Sequence, residues 1–385
     1  MTPACPPRAR DLDVPCDGQP GALNAITDVA GVTVGHCTLN EGGAVRTGVT
    51  ALFPLGSEAN DGVPAAVFAF NGTGEMTGAH QIAEYGGFFG PVLLTGTLGV
   101  GTASQAGLSW VARRTADEDQ RFTRILPVVA ETWDGNLHDA WGFALRPEHV
   151  WQALDAARSG PVREGNVGGG TGMICHGFKG GIGTSSRCFE QCGSLHTVGV
   201  LVQANQGLRD DLLVAGLPAG RWIQGFTPEL PDGSAALGDG SIIVVIATDV
   251  PLNPSQLARV ARRATVGVAR TGGFGGALSG EIFLAFSTAP DAGRITVGGG
   301  RAQPLAMHPG DTLDPLFHAT AWAVEEAILN ALVAAETMTG LRGLRIYGLP
   351  HAPLLSLMRR RARMLEPEPP SPPAAPTALR TETRS

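Results

Sequence analysis

The stretch Gly238-Asp239-Gly240-Ser241-Ile242-Ile243-Val244-Val245-Ile246-Ala247-Thr248-Asp249 joins a glycine-rich loop to six consecutive aliphatic residues. A run of Ile and Val without polar alternation predicts a strand buried on both faces. Ser241 stands at the junction between loop and strand. The glycine before it carries no Cβ, so the backbone there can bend or be approached closely. A hydroxyl in that position can reach its own preceding carbonyl. Taken alone, the stretch is accounted for more simply as an ordinary loop-to-strand junction.

Downstream, Asn253-Pro254 is a cap followed by a first-turn proline, and Leu257, Val260, Ala261 and Ala264 continue at helical spacing toward Arg270. Gly272, Gly273, Gly275 and Gly276 end that helix; residues 282–286 read as another buried strand. Asp314-Pro315 starts a helix of roughly twenty residues that stops before Gly340, and residues 345–349 are expected to form a last strand. Upstream, strands are expected at 47–53, 65–70, 91–94, 125–130 and 197–203, with an early strand in 21–36 ending at His36. Helices are expected over 103–114 and 146–158, and residues 165–172 are a glycine loop. Strands in runs and helices in runs, without regular alternation, indicate a layered α+β fold. Residues 1–365 read as a single catalytic domain. The proline-rich tail 366–385 has little apolar surface to bury and is expected to be disordered and dispensable.

Composition narrows the partners. Of 385 residues only 16% are charged, 43% are hydrophobic and the net charge is −7, with Lys179 the sole lysine. That balance suits a large core and offers no basic footprint for nucleic acid or an anionic membrane surface. No apolar run has the length of a membrane span, and residues 1–20 lack the apolar core of a signal peptide, so a cytoplasmic protein is expected. Six cysteines in a chain this long are no disulfide framework. Cys188, Cys192 and His196 recur every four residues, but Gly193 and the strand after it break the helix that would align them, and no Cys-x-x-Cys pair is present. No metal site is expected.

Several familiar catalytic signatures are absent. No Gly-x-Gly pair has a glycine three residues on, Lys179 belongs to no phosphate-binding loop, and no serine lies in Gly-x-Ser-x-Gly. Three polar segments attached to buried strands remain: Asn205 after one, Ser241 before the next, and Ser279-Gly280-Glu281 before a third. Converging, they would supply a hydroxyl nucleophile, an amide donor and a hydroxyl–carboxylate pair, the set that acyl transfer needs. Spacing leaves convergence and three unrelated loop ends equally open.

The combination of Asn71-Gly72-Thr73-Gly74-Glu75-Met76-Thr77-Gly78, Glu131-Thr132-Trp133-Asp134-Gly135, Gly168-Gly169-Gly170-Thr171-Gly172, Val202-Gln203-Ala204-Asn205 and residues 238–252 resembles the DmpA-type family from about Asn24 to His351. These are L-aminopeptidase/D-esterase and β-aminopeptidase enzymes, self-processing serine N-terminal-nucleophile hydrolases. The resemblance implies a four-layer αββα sandwich that cleaves itself between Gly240 and Ser241, giving an α chain 1–240 and a β chain 241–365 that stay associated. It further implies that Ser241 is the nucleophile, Asn205 an oxyanion donor, Ser279 and Glu281 the network around the new Ser241 amine, and Glu131 the partner of a substrate's free amino group. No cofactor is implied. The expected partner is a small peptide or amide, and the expected assembly is a homo-oligomer of processed αβ pairs.

Two positions depart from the family's pattern: Trp133 stands where a tyrosine is expected, and Gly96 where an asparagine is. Both bear on substrate preference, Trp133 as a substrate-binding residue. Rival readings are a hydrolase of ω-amino oligomers and an ornithine-acetyltransferase-like enzyme, both of which favour a threonine nucleophile, and a non-catalytic relative that never processes. Ser241 argues against the first two, and the intact set Ser241, Asn205, Ser279 and Glu281 against the third.

Overall fold

The computed structural model describes residues 6–59, 61–114, 126–234, 240–293, 295 and 307–365. The proline-rich tail 366–385, and Gly238 and Asp239 of the loop before Ser241, lie outside the described residues.

The aliphatic run forms strand Ile242–Thr248, and every residue of it is buried. Its two faces feed two different cores. Ile242, Val244 and Ile246 pack toward helices, whereas Ile243, Val245 and Ala247 pack toward a second sheet. Burying each of these Ile and Val side chains contributes roughly 1.5–3 kcal/mol, so neither face tolerates a polar residue. The strand ends where Thr248 satisfies its hydroxyl by donating to the Thr197 carbonyl at 2.8 Å.

Among the described residues the two main sheets are built on the longer strands β1 (Thr33–Glu41), β2 (Val45–Phe53), β3 (Val63–Gly72), β4 (Val92–Gly96), β5 (Val128–Thr132), β6 (Gly181–Gln191), β7 (Ser194–Ala204), β8 (Ile242–Thr248) and β9 (Gly280–Ser287). One sheet has the order β1-β2-β4-β5. The other runs β3-β9-β8-β7-β6, with the short strand Gly87–Phe88 added outside β3. Five helices matter here: α1 (Val100–Arg114), α2 (Pro147–Asp155), α3 (Pro254–Arg270), α4 (Asp314–Ala334) and α5 (His351–Leu365). Helices α1 and α2 cover the outer face of the four-stranded sheet through Ala106, Trp110, Val150 and Leu154. Helices α3, α4 and α5 contribute Leu257, Val260, Ile328 and Leu354 to the core on the outer face of the larger sheet. The result is helix, sheet, sheet, helix: the expected αββα layering.

Each sheet contains one parallel pair, β4–β5 and β8–β9, and each pair is joined through a helix, α1 and α3 respectively. The α+β reading holds, with two embedded strand–helix–strand crossovers that the apolar runs alone did not reveal. Helix α3 starts as its sequence predicts: Asn253 accepts from the Gln256 amide at 2.9 Å, and the Gln256 side chain accepts from the Asn253 amide at 3.2 Å.

Three expectations need correction. The early strand begins only at Thr33; Ile26–Asp28 is a 3-10 turn whose Ile26 plugs the inter-sheet core. Strand β6 escaped notice because its centre, Thr184-Ser185-Ser186-Arg187, is polar yet buried. Two of those groups are satisfied from outside the sheet: Arg187 pairs with Glu326 of α4 at 2.6 Å, and the Ser185 hydroxyl donates to the Ala323 carbonyl at 2.5 Å. The last strand shrinks to Arg345–Ile346, and a helix not foreseen, α5, follows it. Cys188 lies on β6 and His196 on β7, with Cys192 in the hairpin turn between, so the three never share a helix face. Among the described residues no helix is long and apolar enough to cross a membrane.

Candidate active site

Strand directions decide whether the polar segments meet. Because β8 and β9 are parallel, their first residues lie side by side, with Ile242 opposite Glu281. Strand β7 is antiparallel to β8, so its last residue, Ala204, lies opposite Ile242. Strand β3 is antiparallel to β9 and brings Asn71 opposite Glu281. Asn205, Ser241, Ser279 and Glu281 therefore converge at one end of the larger sheet, together with Asn71.

Ser241 is buried, and its Oγ accepts a hydrogen bond from the Gly280 amide at 2.9 Å. Its carbonyl accepts from the Asn205 amide at 3.1 Å. Asn205 is fixed through both side-chain atoms: Oδ1 accepts from the Ile174 amide at 2.7 Å and Nδ2 donates to the Trp133 carbonyl at 3.1 Å. Gly240 lies flat against this residue. A Cβ on Gly240 would fall 3.0 Å from both Asn205 Nδ2 and the Asn205 carbonyl carbon, and nearer still to the carbonyl oxygen. Gly240 and Ser241, the two residues of the bond, are thus both held against Asn205.

Ser279 is fully buried, and its hydroxyl donates to the Gly276 carbonyl at 2.8 Å. Asn71 Nδ2 gathers the same turn by donating to the Gly276 and Ser279 carbonyls at 2.5 and 2.6 Å. Glu281 is buried too, with a carboxylate oxygen 3.3 Å from where a Cβ on Gly275 would stand, so this carboxylate faces the Gly275 turn.

The loop after β3 stitches the two sheets together beside the serine. The Thr73 amide donates to the Ser279 carbonyl at 3.3 Å, and the Thr77 amide to Val129 of β5 at 2.8 Å. Between them sits Gly74, where a Cβ would stand 3.4 Å from Gly280 Cα and 3.3 Å from Glu131 Oε1. Gly74 thus lies between Glu131 and Gly280, whose amide holds Ser241 Oγ. Its Oε1 accepts from the Glu75 amide at 3.0 Å and its Oε2 from the Thr97 hydroxyl. Burial raises its pKa, Asp134 and Glu75 add to that, and the Thr97 and Glu75 bonds oppose it. Such a carboxylate gains most from a cationic partner.

Trp133 reaches Asn205 through its main-chain carbonyl; its indole lies over Gly135 and is 39% exposed. The side chain borders a cleft of about 400 Å³ that also involves Asp139, Trp141, Leu230 and Arg342. Gly96 has a steric reason. A Cβ there would run into the Asp134 carboxylate, coming within 2.6 Å of Oδ1. Asp134 is itself buried and accepts from the Thr47 hydroxyl at 2.6 Å. Burial pushes the Asp134 carboxyl upward, against the Thr47 bond and His138.

Sequence reasoning did not single out Asn71, Thr97, Gly74 or Gln203 as individuals, although three of them lie in segments that carried the family resemblance. Gln203 crosses between the sheets, donating from Nε2 to the Thr95 carbonyl at 2.9 Å and to the Thr132 hydroxyl at 2.8 Å. A polar residue at a core-facing position of an otherwise apolar strand was the signal available for it.

Known proteins are similar to this chain over nearly its whole length. A beta-peptidyl aminopeptidase from Sphingosinicella xenopeptidilytica is 50% identical over 372 residues, covering 92% of each chain. The solved L-aminopeptidase D-Ala-esterase/amidase of Ochrobactrum anthropi, described as a variant of the Ntn hydrolase fold, superposes with a TM-score of 0.86 at 46% identity. That match covers 93% of this chain and 99% of that one. A Burkholderia sp. beta-aminopeptidase superposes with a TM-score of 0.82 at 44% identity, covering 92% and 99%. Residues 24–346 match Peptidase family S58. With that span matched and its layers and sheet ends arranged as described, this chain belongs to peptidase family S58 and is an aminopeptidase of the N-terminal-nucleophile kind.

Proposed function

We propose that this aminopeptidase cleaves its own Gly240–Ser241 bond and then releases N-terminal β-amino acyl or small α-amino acyl groups from short peptides, amides and esters. The observation that carries the reading is the placement of that bond, with the Ser241 hydroxyl on the Gly280 amide and Gly240 against Asn205. In the first reaction Ser241 Oγ attacks the Gly240 carbonyl carbon, and collapse of the tetrahedral adduct expels the Ser241 nitrogen. An ester links the two parts. Water hydrolyses it, leaving a carboxylate on Gly240, a free hydroxyl on Ser241 and a new α-amine.

That amine titrates near about 7.7–8.0 when unperturbed, a useful range for a base at neutral pH. It takes the proton of its own hydroxyl as Oγ attacks the substrate. Asn205 Nδ2 donates to the oxyanion, the protonated amine delivers its proton to the leaving group, and water resolves the acyl-enzyme. Ser279 and Glu281 orient the amine. Glu131 receives the substrate's ammonium, and the Trp133 cleft takes the rest of a short substrate.

The five described cysteines form no disulfide, which suits a reducing, cytoplasmic location. Leu278, 83% exposed, and Phe274, 69% exposed, flank the Ser279 turn and suit burial in an oligomer of processed pairs. The test compares an aminoacyl p-nitroanilide with its N-acetylated form in wild type and Glu131→Gln. Wild type is expected to reject the acetylated substrate, and Glu131→Gln to raise KM for the free amine with self-cleavage intact. Equal turnover of both substrates would refute the aminopeptidase specificity. Parallel loss of cleavage and turnover would make Glu131 a structural residue.

A further inference from the structure

Lys179 is the sole lysine of the chain, and it is completely buried. Its Nζ donates to three main-chain carbonyls: Gly170 at 3.2 Å, Met173 at 2.8 Å and Gly180 at 3.0 Å. Three acceptors match the three N–H groups of an ammonium; a neutral amine would leave one carbonyl without its donor. Burial lowers this ammonium to about 7, with Cys175 opposing the shift. Keeping a cation there is costly, and a hydrophobic side chain would fill the space without that cost.

What the cation holds gives it a purpose. The Met173 carbonyl and the Ile174 amide are the two ends of one peptide group. Lys179 grips the oxygen, and the amide donates to Asn205 Oδ1 at 2.7 Å. A planar peptide transmits orientation rigidly from one end to the other. In its charged form, kept up to about pH 7, Lys179 also polarises the N–H through that carbonyl, and the polarisation passes along the hydrogen-bonded chain to the Asn205 amide. With Oδ1 occupied, Nδ2 is fixed as the donor end; one of its N–H groups goes to the Trp133 carbonyl, and the second is the one assigned to the oxyanion. From the other side, Gly180 packs so tightly that a Cβ would strike the Ala204 carbonyl oxygen, so residues 179–181 brace the main chain leading to Asn205.

We propose that Lys179 is the positioning residue of the oxyanion donor, orienting and polarising the Asn205 amide through the Met173–Ile174 peptide. The proposal rests on Asn205 acting as that donor, and a double-mutant cycle separates the two claims. Rates are taken per cleaved chain. Loss of an oxyanion donor costs about 10²–10³ in kcat; Lys179→Met should lose part of that, roughly tenfold to a hundredfold, with KM little changed. In the Asn205→Ala background, Lys179→Met should cost nothing further. Additive losses, or a change confined to KM, would overturn the proposal while leaving Asn205 in place. An Asn205→Ala enzyme with normal kcat would overturn the reading of Asn205 first.

Should Lys179→Met not fold, the wild-type enzyme supplies the answer. Lysine labelled at 13Cε gives one resonance in this protein. An aminoalkyl boronic acid, forming a tetrahedral adduct on Ser241, is expected to shift that resonance. A resonance that stays put in the inhibited enzyme would overturn the proposal.

Discussion

Gly240→Ala isolates the geometry of self-cleavage from that of turnover. In the uncut chain the new methyl would sit 3.0 Å from Asn205 Nδ2 and from the Asn205 carbonyl carbon, and closer to the carbonyl oxygen, a main-chain atom that cannot rotate away. The segment before Ser241 must retreat by on the order of 1 Å, and a misplacement of that size costs about 10²-fold in a reaction that depends on alignment. The barrier to the first acyl shift should rise by about 2.7 kcal/mol. After cleavage residue 240 is a chain end and no longer part of the nucleophile's chain, so each cleaved molecule should turn over at the wild-type rate. A time course on denaturing gels gives the cleavage rate, and kcat/KM per cleaved chain gives the second quantity. Cleavage of Gly240→Ala at the wild-type rate would refute the argument, since it would mean that the reacting peptide does not lie against Asn205.

Glu281→Gln should move the acidic limb of the kcat/KM profile to lower pH, because a carboxylate near the Ser241 amine favours its protonated form; a limb that stays or moves upward would count against the amine as the base. Lys179 also has a stability signature. Its folded pKa of about 7 lies below the ordinary value of 10.5, so between these values the unfolded chain binds more protons and stability rises with pH. Wild type minus Lys179→Met should show a slope of up to about 1.4 kcal/mol per pH unit between pH 7 and 9 in denaturant titrations, with no such slope below pH 6. Parallel curves for the two proteins would mean that the ammonium is not desolvated.

The αββα layering was legible where side chains are apolar for a single reason. Strand β8 is buried on both faces, and its sequence says so residue by residue. Strand β6 was not legible, because Thr184, Ser185, Ser186 and Arg187 are buried against Glu326, the Ala323 carbonyl and the N-terminal segment, partners that no local pattern specifies. Helix α5 was missed for a related reason: Leu354, Leu357 and Met358 are its buried positions, set among arginines and a proline that mask the period. At the candidate site, Ser241, Asn205, Ser279 and Glu281 stood out as polar residues at the ends of apolar runs. Their convergence depends on β8 and β9 being parallel and on β7 being antiparallel to β8, a property of the sheet rather than of any segment. Asn71 and Thr97 act by hydrogen-bonding main chain or a carboxylate far away in sequence, so only the folded chain identifies them.

The central claim is that Ser241 becomes a chain terminus. Mass spectrometry of purified wild type and Ser241→Ala, after prolonged incubation, tests it directly. Wild type is predicted to contain a fragment whose first residue is Ser241 with an unblocked amine, paired with a fragment ending at Gly240, and Ser241→Ala only the intact chain. Intact wild-type chain that nonetheless hydrolyses the substrate would contradict the account, as would cleavage at any other bond.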